Sequence, residues 1–214
     1  QRVAAQRPRE IVQACRKLYQ TMSFQEINLR AISKETSVSR PTIYNYFESK
    51  EEIFLFILKE EYEAWNEDLQ RILDAPMPMT ADRFAREVAK TMEFRITLLK
   101  IQCMNLYEIE EHSRQDRLIE FKQSYRKALD TMDACLQKFF PHLTARERGD
   151  FRYSFFPFMY GVYPYVYPTQ WQRDAMATAG IKVRQTSIMA CTRQCIRKLL
   201  AGAESTAVKR RNGK

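Results

Sequence analysis

The sequence predicts an all-α fold: a three-helix, helix-turn-helix unit at the N terminus and a larger C-terminal helical bundle. Three observations carry this. Only five glycines and eight prolines occur in 214 residues, and long stretches hold neither. Apolar residues recur at steps of three and four, the spacing of one helix face, and no segment alternates as a strand would. Several breaks between periodic segments end in a residue suited to capping the next helix.

Taken in order, Ile11, Cys15, Leu18, Tyr19 and Met22 share one face and predict a first helix over 8–22, with Pro8 tolerated in its first turn. Asn28 is a good N-cap for a short helix over 29–36. Ser37-Val38-Ser39 breaks it, and Ser39 caps a second short helix over 40–46. Pro41 fits there because first-turn N–H groups lack intrahelical partners. Ser49-Lys50-Glu51-Glu52 reads as a capping box opening a long amphipathic helix to Leu73, with Ile53, Phe54, Ile57, Leu58, Tyr62, Trp65, Leu69 and Ile72 inside. Ala75-Pro76-Met77-Pro78-Met79 interrupts the chain, and Thr80 caps the next helix. Helices over 96–104 and 114–140 follow. Thr144-Ala145-Arg146-Glu147 is a second capping box, opening an aromatic helix over 145–163. Residues 163–168 read as a proline-punctuated connection to a polar stretch, and the last helix is expected over 182–200. The expected domains are 1–50, a connecting helix 51–73, a helical domain 74–204 and a basic tail 205–214.

The net charge of +9 suits a polyanionic partner, and its distribution is more telling than its size. The first fifty residues hold nine Lys/Arg against four acids. The five cysteines are scattered and lie mostly in apolar helical patterns, as reduced buried thiols would. Cys191 and Cys195 stand four apart, but the two histidines, His112 and His142, are distant, so no metal and no cofactor is expected. No glycine-rich phosphate loop and no His-centred triad occurs, so no catalytic residue and no enzyme activity is expected. With no run of about 18 apolar residues and no signal-peptide pattern, a cytoplasmic protein without membrane contact is expected.

Two short helices joined by a tight turn, with a supporting helix on each side, form the layout in which a second helix reads DNA. Here that helix starts at Arg40, buries Ile43 and Phe47, and presents Arg40, Thr42, Tyr44, Asn45 and Tyr46. A capped helical hairpin with ordinary surface aromatics has the same spacing, so the pattern alone leaves both readings open. Ile32-Ser33, the run from Val38 to Phe47 and Ser49-Lys50-Glu51 resemble the signature of TetR-family transcriptional regulators.

The resemblance implies a sequence-specific regulator, most often a repressor, that binds double-stranded DNA at a palindromic operator. Arg30 matches a position that reaches a base edge, where a guanidinium suits guanine O6 and N7. Arg40, Pro41 and Thr42 match the major-groove-facing start of the recognition helix. Tyr44 and Tyr46 match hydroxyls that hold phosphates, and Lys50 a phosphate contact helped by the helix dipole. Asn28 and Ser39 could also donate to phosphates, with capping as their first duty. Ser37 departs from the pattern, which often has glycine there. A left-handed turn would cost serine about 1 kcal/mol.

The resemblance further implies a homodimer in which the helices over 145–163 and 182–200 pair with the partner's. The faces would be Phe151, Phe155, Phe158 and Val162, with Ile188, Cys191, Cys195 and Leu199. Periodicity alone fits a monomer core equally well. Helices over 80–140 are expected to enclose a pocket for an unknown small apolar or aromatic effector. Its candidate residues are Met92, Leu98, Ile101, Met104, Tyr107, Phe121, Tyr125, Phe155, Met159 and Tyr163. Each of them could equally be core. An architectural DNA-binding protein without effector keeps the motif and drops the pocket, so an aromatic-lined internal cavity would separate the two.

Overall fold

A computed structural model describes residues 2–212, with side chains placed for 6–202; the side chains of the expected basic tail lie outside the described residues. Among the described residues no strand occurs. The helices are α1 (Arg2–Leu18), α2 (Leu29–Lys34), α3 (Arg40–Tyr44), α4 (Lys50–Leu73), α5 (Ala81–Phe94), α6 (Ile96–Gln102), α7 (Gln115–Phe139), α8 (Ala145–Val166), α9 (Gln170–Thr178) and α10 (Ile188–Asn212). A π-helical turn, Asn105–Ile109, and a 3₁₀ turn, Glu110–His112, precede α7. Among the described residues no helix is long and apolar enough to cross a membrane. The contacts divide the chain into two compact units. One runs up to Glu61 and includes Met104–Tyr125; the other holds Tyr62–Cys103 and the chain from Arg126 on.

In the first unit the periodic residues of α1 to α4 form the core. Ile11, Cys15, Ile27, Ile32, Ile43, Ile53, Phe54 and Ile57 are fully buried, each contributing about 1.5–3 kcal/mol where it is a large aliphatic or aromatic side chain. Tyr19 and Phe24 both meet the Phe54 ring edge-on at 4.9 Å. Arg16 braces α1 to α4 through Glu61 at 2.5 Å and Glu60 at 3.1 Å. Helix α1 starts earlier than its apolar stripe suggests, because the alanines ahead of Pro8 are good helix formers and the proline removes only one backbone donor. It also ends earlier, at Leu18, where Met22 N–H closes a turn on the Leu18 carbonyl at 2.9 Å.

The second unit is built round Trp65, whose ring packs on Phe156 and whose indole N–H donates to Thr91 Oγ1 at 3.0 Å. Helix α10 packs against α5 and α8, and α6 against α8. Lys138 Nζ donates to the Leu73 and Ala75 carbonyls at 2.6 and 2.9 Å, satisfying the C-terminal end of α4. The Thr144–Glu147 capping box forms with both arms. Three expectations are corrected here. Helix α8 continues past Tyr163 through Pro164 to Val166, since packing on α6 and α10 outweighs the donor that proline lacks. The polar stretch is helix α9, started by a Thr169–Gln172 capping box, and it buries no residue. The last helix starts at Ile188, where Ser187 Oγ accepts from Ala190 N–H at 3.1 Å.

Candidate nucleic-acid interface

The interface lies wholly in the first unit and is built from caps outward. Asn28 Oδ1 accepts from Ala31 N–H at 2.9 Å and fixes the start of α2; Ser39 Oγ accepts from Thr42 N–H at 3.4 Å and starts α3. The Ser39 and Thr42 hydroxyls also share a hydrogen bond at 2.8 Å. Ile43 and Phe47 are buried and pin α3 to the core, which leaves Arg40, Pro41, Tyr44 and Asn45 exposed. The helix ends at Tyr44, two residues sooner than its sequence suggests. Asn45 and Tyr46 instead form a final tight turn on the carbonyls of Thr42 and Ile43.

The turn between the two helices holds no strain. Among the described residues no non-glycine residue has a positive φ, so Ser37 is not left-handed and the expected penalty does not arise. Its N–H donates to Glu10 Oε1 on α1 at 2.5 Å, an anchor 27 positions away that no local pattern signals.

Charge on the two short helices is one-sided. Helices α2 and α3 carry Arg30, Lys34 and Arg40 and no carboxylate. Arg30 is exposed, and Arg40 folds along its own helix. Its guanidinium donates to the Tyr44 hydroxyl at 3.2 Å and stands 5.8 Å from the ring centre. Tyr44 is 46% exposed, while Tyr46 is half-buried. Lys50 turns inward: its Nζ donates to the Phe24 carbonyl at 2.7 Å and lies 4.1 Å over the Phe24 ring. What this point offers a phosphate is the first turn and dipole of α4.

Behind Lys50, Glu52 departs from its expected role. Ser49 Oγ accepts from Glu52 N–H at 3.2 Å, as a cap should, but the Glu52 carboxylate does not return to Ser49. It is 2% exposed and accepts from Glu48 N–H at 2.9 Å and from Arg114 through Nε at 2.6 Å, Nη2 at 3.0 Å and its backbone N–H at 3.2 Å. Burial alone would push this carboxyl up; the Arg114 guanidinium and the two N–H donors outweigh it and hold the carboxyl below its usual range. The Arg114 guanidinium is correspondingly raised, first by its bond to Glu52.

The ten expected pocket residues are divided between the units. In the first, Phe121 is fully buried and tilts against Tyr125, Met104 is half-buried, and Tyr107 is 75% exposed on the π-helical turn. In the second, Met92, Leu98, Ile101, Phe155 and Met159 are buried core residues, and Tyr163 is half-buried with its hydroxyl pushed up by desolvation. A cleft of about 590 Å³ in that unit is lined by Asp68, Arg71, Met79, Arg83, Lys90 and Phe94 among others. A second, of about 820 Å³, lies between Thr80–Asp82 and the basic side of α10. None of the ten lines either one. Among the described residues no cluster of metal-ligating side chains occurs.

Comparison with known proteins covers nearly all of the chain. Residues 11–57 match the family model "Bacterial regulatory proteins, tetR family", and residues 59–207 match "Tetracyclin repressor-like, C-terminal domain". No curated protein matches. The fold is similar to that of the fatty acid degradation regulator FadR from Bacillus halodurans, with a TM-score of 0.60 and 15% identity over 91% of this chain and 95% of that one. It is similar to the transcriptional regulator FadR from Bacillus subtilis, solved in complex with stearoyl-CoA, with a TM-score of 0.59 and 16% identity over 90% and 97%. A regulator of TetR type from Mesorhizobium loti gives a TM-score of 0.55 at 14% identity over 94% and 96%.

Proposed function

The chain belongs to the TetR family of bacterial regulatory proteins, and from that premise we propose that it is a homodimeric repressor that holds a palindromic operator until an apolar effector releases it. Membership itself makes the chain a DNA-binding transcriptional regulator and not an enzyme. The observation that carries the proposal is α3, which keeps Ile43 and Phe47 buried and exposes Arg40, Pro41, Tyr44 and Asn45, and which like α2 carries no carboxylate of its own. We assign Arg30, Arg40 and Thr42 to bases. Tyr44, Tyr46 and the Lys50 helix start take phosphates, with Asn28 and Ser39 as caps beside them. Residues 1–50 then serve DNA, 51–73 connect, 74–204 serve effector and partner, and 205–214 are a basic tail; the setting is the cytoplasm.

Two copies are needed because one short helix makes too few contacts for a specific site. Support for the pairing surface comes from α10. It buries Ile188, Thr192, Ile196 and Leu200 against its own chain, and leaves Cys191, Cys195 and Leu199 half-exposed on the adjoining stripe. For the effector, the stearoyl-CoA held by the B. subtilis neighbour supplies the first chemistry to try here, a long apolar chain on an acyl thioester. Binding would favour a conformation in which the two recognition helices no longer match successive major grooves.

A second reading, an architectural DNA-binding protein without effector, is favoured by the fully buried state of Met92, Leu98, Ile101, Phe155 and Met159. One experiment separates them. Fragments of the source genome selected by the purified protein should share a palindrome, and stearoyl-CoA should release them. Fragments without a common sequence, held regardless of ligand, would establish the architectural reading instead.

A further inference from the structure

We infer that Gln102 is the polar anchor of the effector site, donating a side-chain N–H to an acceptor at the head of the ligand's long apolar chain. The inference rests on the effector reading above and adds the atom that selects the ligand. Gln102 closes α6 and is 0% exposed, as are Leu98, Leu99 and Ile101 on the same helix. Helix α6 packs on α8, whose buried residues include Phe155, Met159 and Val162. Leu98, Ile101, Phe155 and Met159 are four of the residues expected to form the pocket.

Within this apolar setting the two ends of the Gln102 amide are treated differently. Its Oε1 accepts from the Tyr62 hydroxyl at 3.0 Å, and Tyr62 is itself 0% exposed. Its Nε2 is buried and has no hydrogen-bond partner. A buried amide donor without an acceptor is disfavoured, and native interiors pair such groups almost without exception. If space-filling were its only task, a methionine or leucine would fill the same volume without the penalty. With the Tyr62 hydroxyl donating to Oε1, the unspent end is the N–H₂ donor. The ligand atom that meets it is therefore an acceptor such as a carbonyl oxygen, and not an ammonium. An acyl thioester carries one carbonyl beside a long apolar chain, which is the pattern this site asks for.

The test compares stearoyl-CoA with S-octadecyl-CoA, which has a methylene in place of the thioester carbonyl, by titration calorimetry on the full-length protein. Wild type is expected to bind stearoyl-CoA at least about tenfold more tightly. Gln102→Met should lose this preference and bind both ligands alike. Gln102→Leu is the second variant should the first fold poorly, and the wild-type comparison is decisive without either. Equal wild-type affinity for the two ligands, or a preference that survives in Gln102→Met, overturns the anchor and leaves the effector reading standing. A wild type that binds neither ligand overturns the acyl-thioester reading and the anchor with it.

Discussion

Arg40 and Tyr44 stand one helical turn apart and share a hydrogen bond, so a change at either is felt at both. Arg40→Ala should cost about 1–3 kcal/mol at one base position and blur the sequence preference there, read by fluorescence anisotropy across operator variants. Tyr44→Phe should weaken binding to every sequence while leaving the salt dependence unchanged, because a neutral hydroxyl displaces no counterion. Because it also frees the Arg40 guanidinium, a smaller loss of preference at the same base should accompany it. Ser37→Gly is the complementary test. With no left-handed residue to accommodate, glycine there should lower stability by about 0.5–1 kcal/mol in a denaturant titration, and a gain would contradict the turn as described. The residues of this surface were legible in the sequence because caps, breaks and face periodicity are local. The bonds that tune it were not. Ser37 finds Glu10, and Lys50 finds Phe24, only after the chain has folded back on itself.

At the scale of elements, polar ends and carboxylates decide where helices stop and what they tolerate. Thr144→Ala removes the hydroxyl arm of the α8 capping box, keeping the backbone N–H arm to Glu147, and should cost about 1 kcal/mol in a thermal or denaturant melt. Glu52 makes a pH prediction. Its carboxyl is held below the usual 4.5 in the folded chain, so the stability it contributes is complete above that value. That stability is lost as pH falls through the lower, folded value. Wild type should therefore lose melting temperature more steeply below pH 4.5 than Glu52→Gln, whose amide cannot titrate. Reading the sequence for helix signals succeeded where cap and stripe agreed, as at Thr80 and Thr144. It fell short at the end of α8, where Pro164 counted for less than the packing that surrounds it. It failed at α9 as well, because a helix without a buried stripe gives periodicity nothing to detect.

For the whole molecule, the proposed pairing surface is the half-exposed stripe of α10. Leu199→Glu should shift the protein to monomer in sedimentation velocity and lower operator affinity by at least about tenfold, while its helical circular dichroism stays that of wild type. A dimer that survives this change would place the pairing surface elsewhere. Helix α9 adds a consequence of another kind. It buries nothing, and the connection from Ile181 to Ser187 after it has no regular structure and carries Lys182 and Arg184 in the open. Exposed, irregular backbone next to basic side chains is what a protease cuts first. Brief digestion with trypsin should accordingly nick the chain at these two residues, leaving α10 as a separate peptide. The rate of that cut, followed as protein concentration rises, would report whether a neighbouring copy shields this stretch.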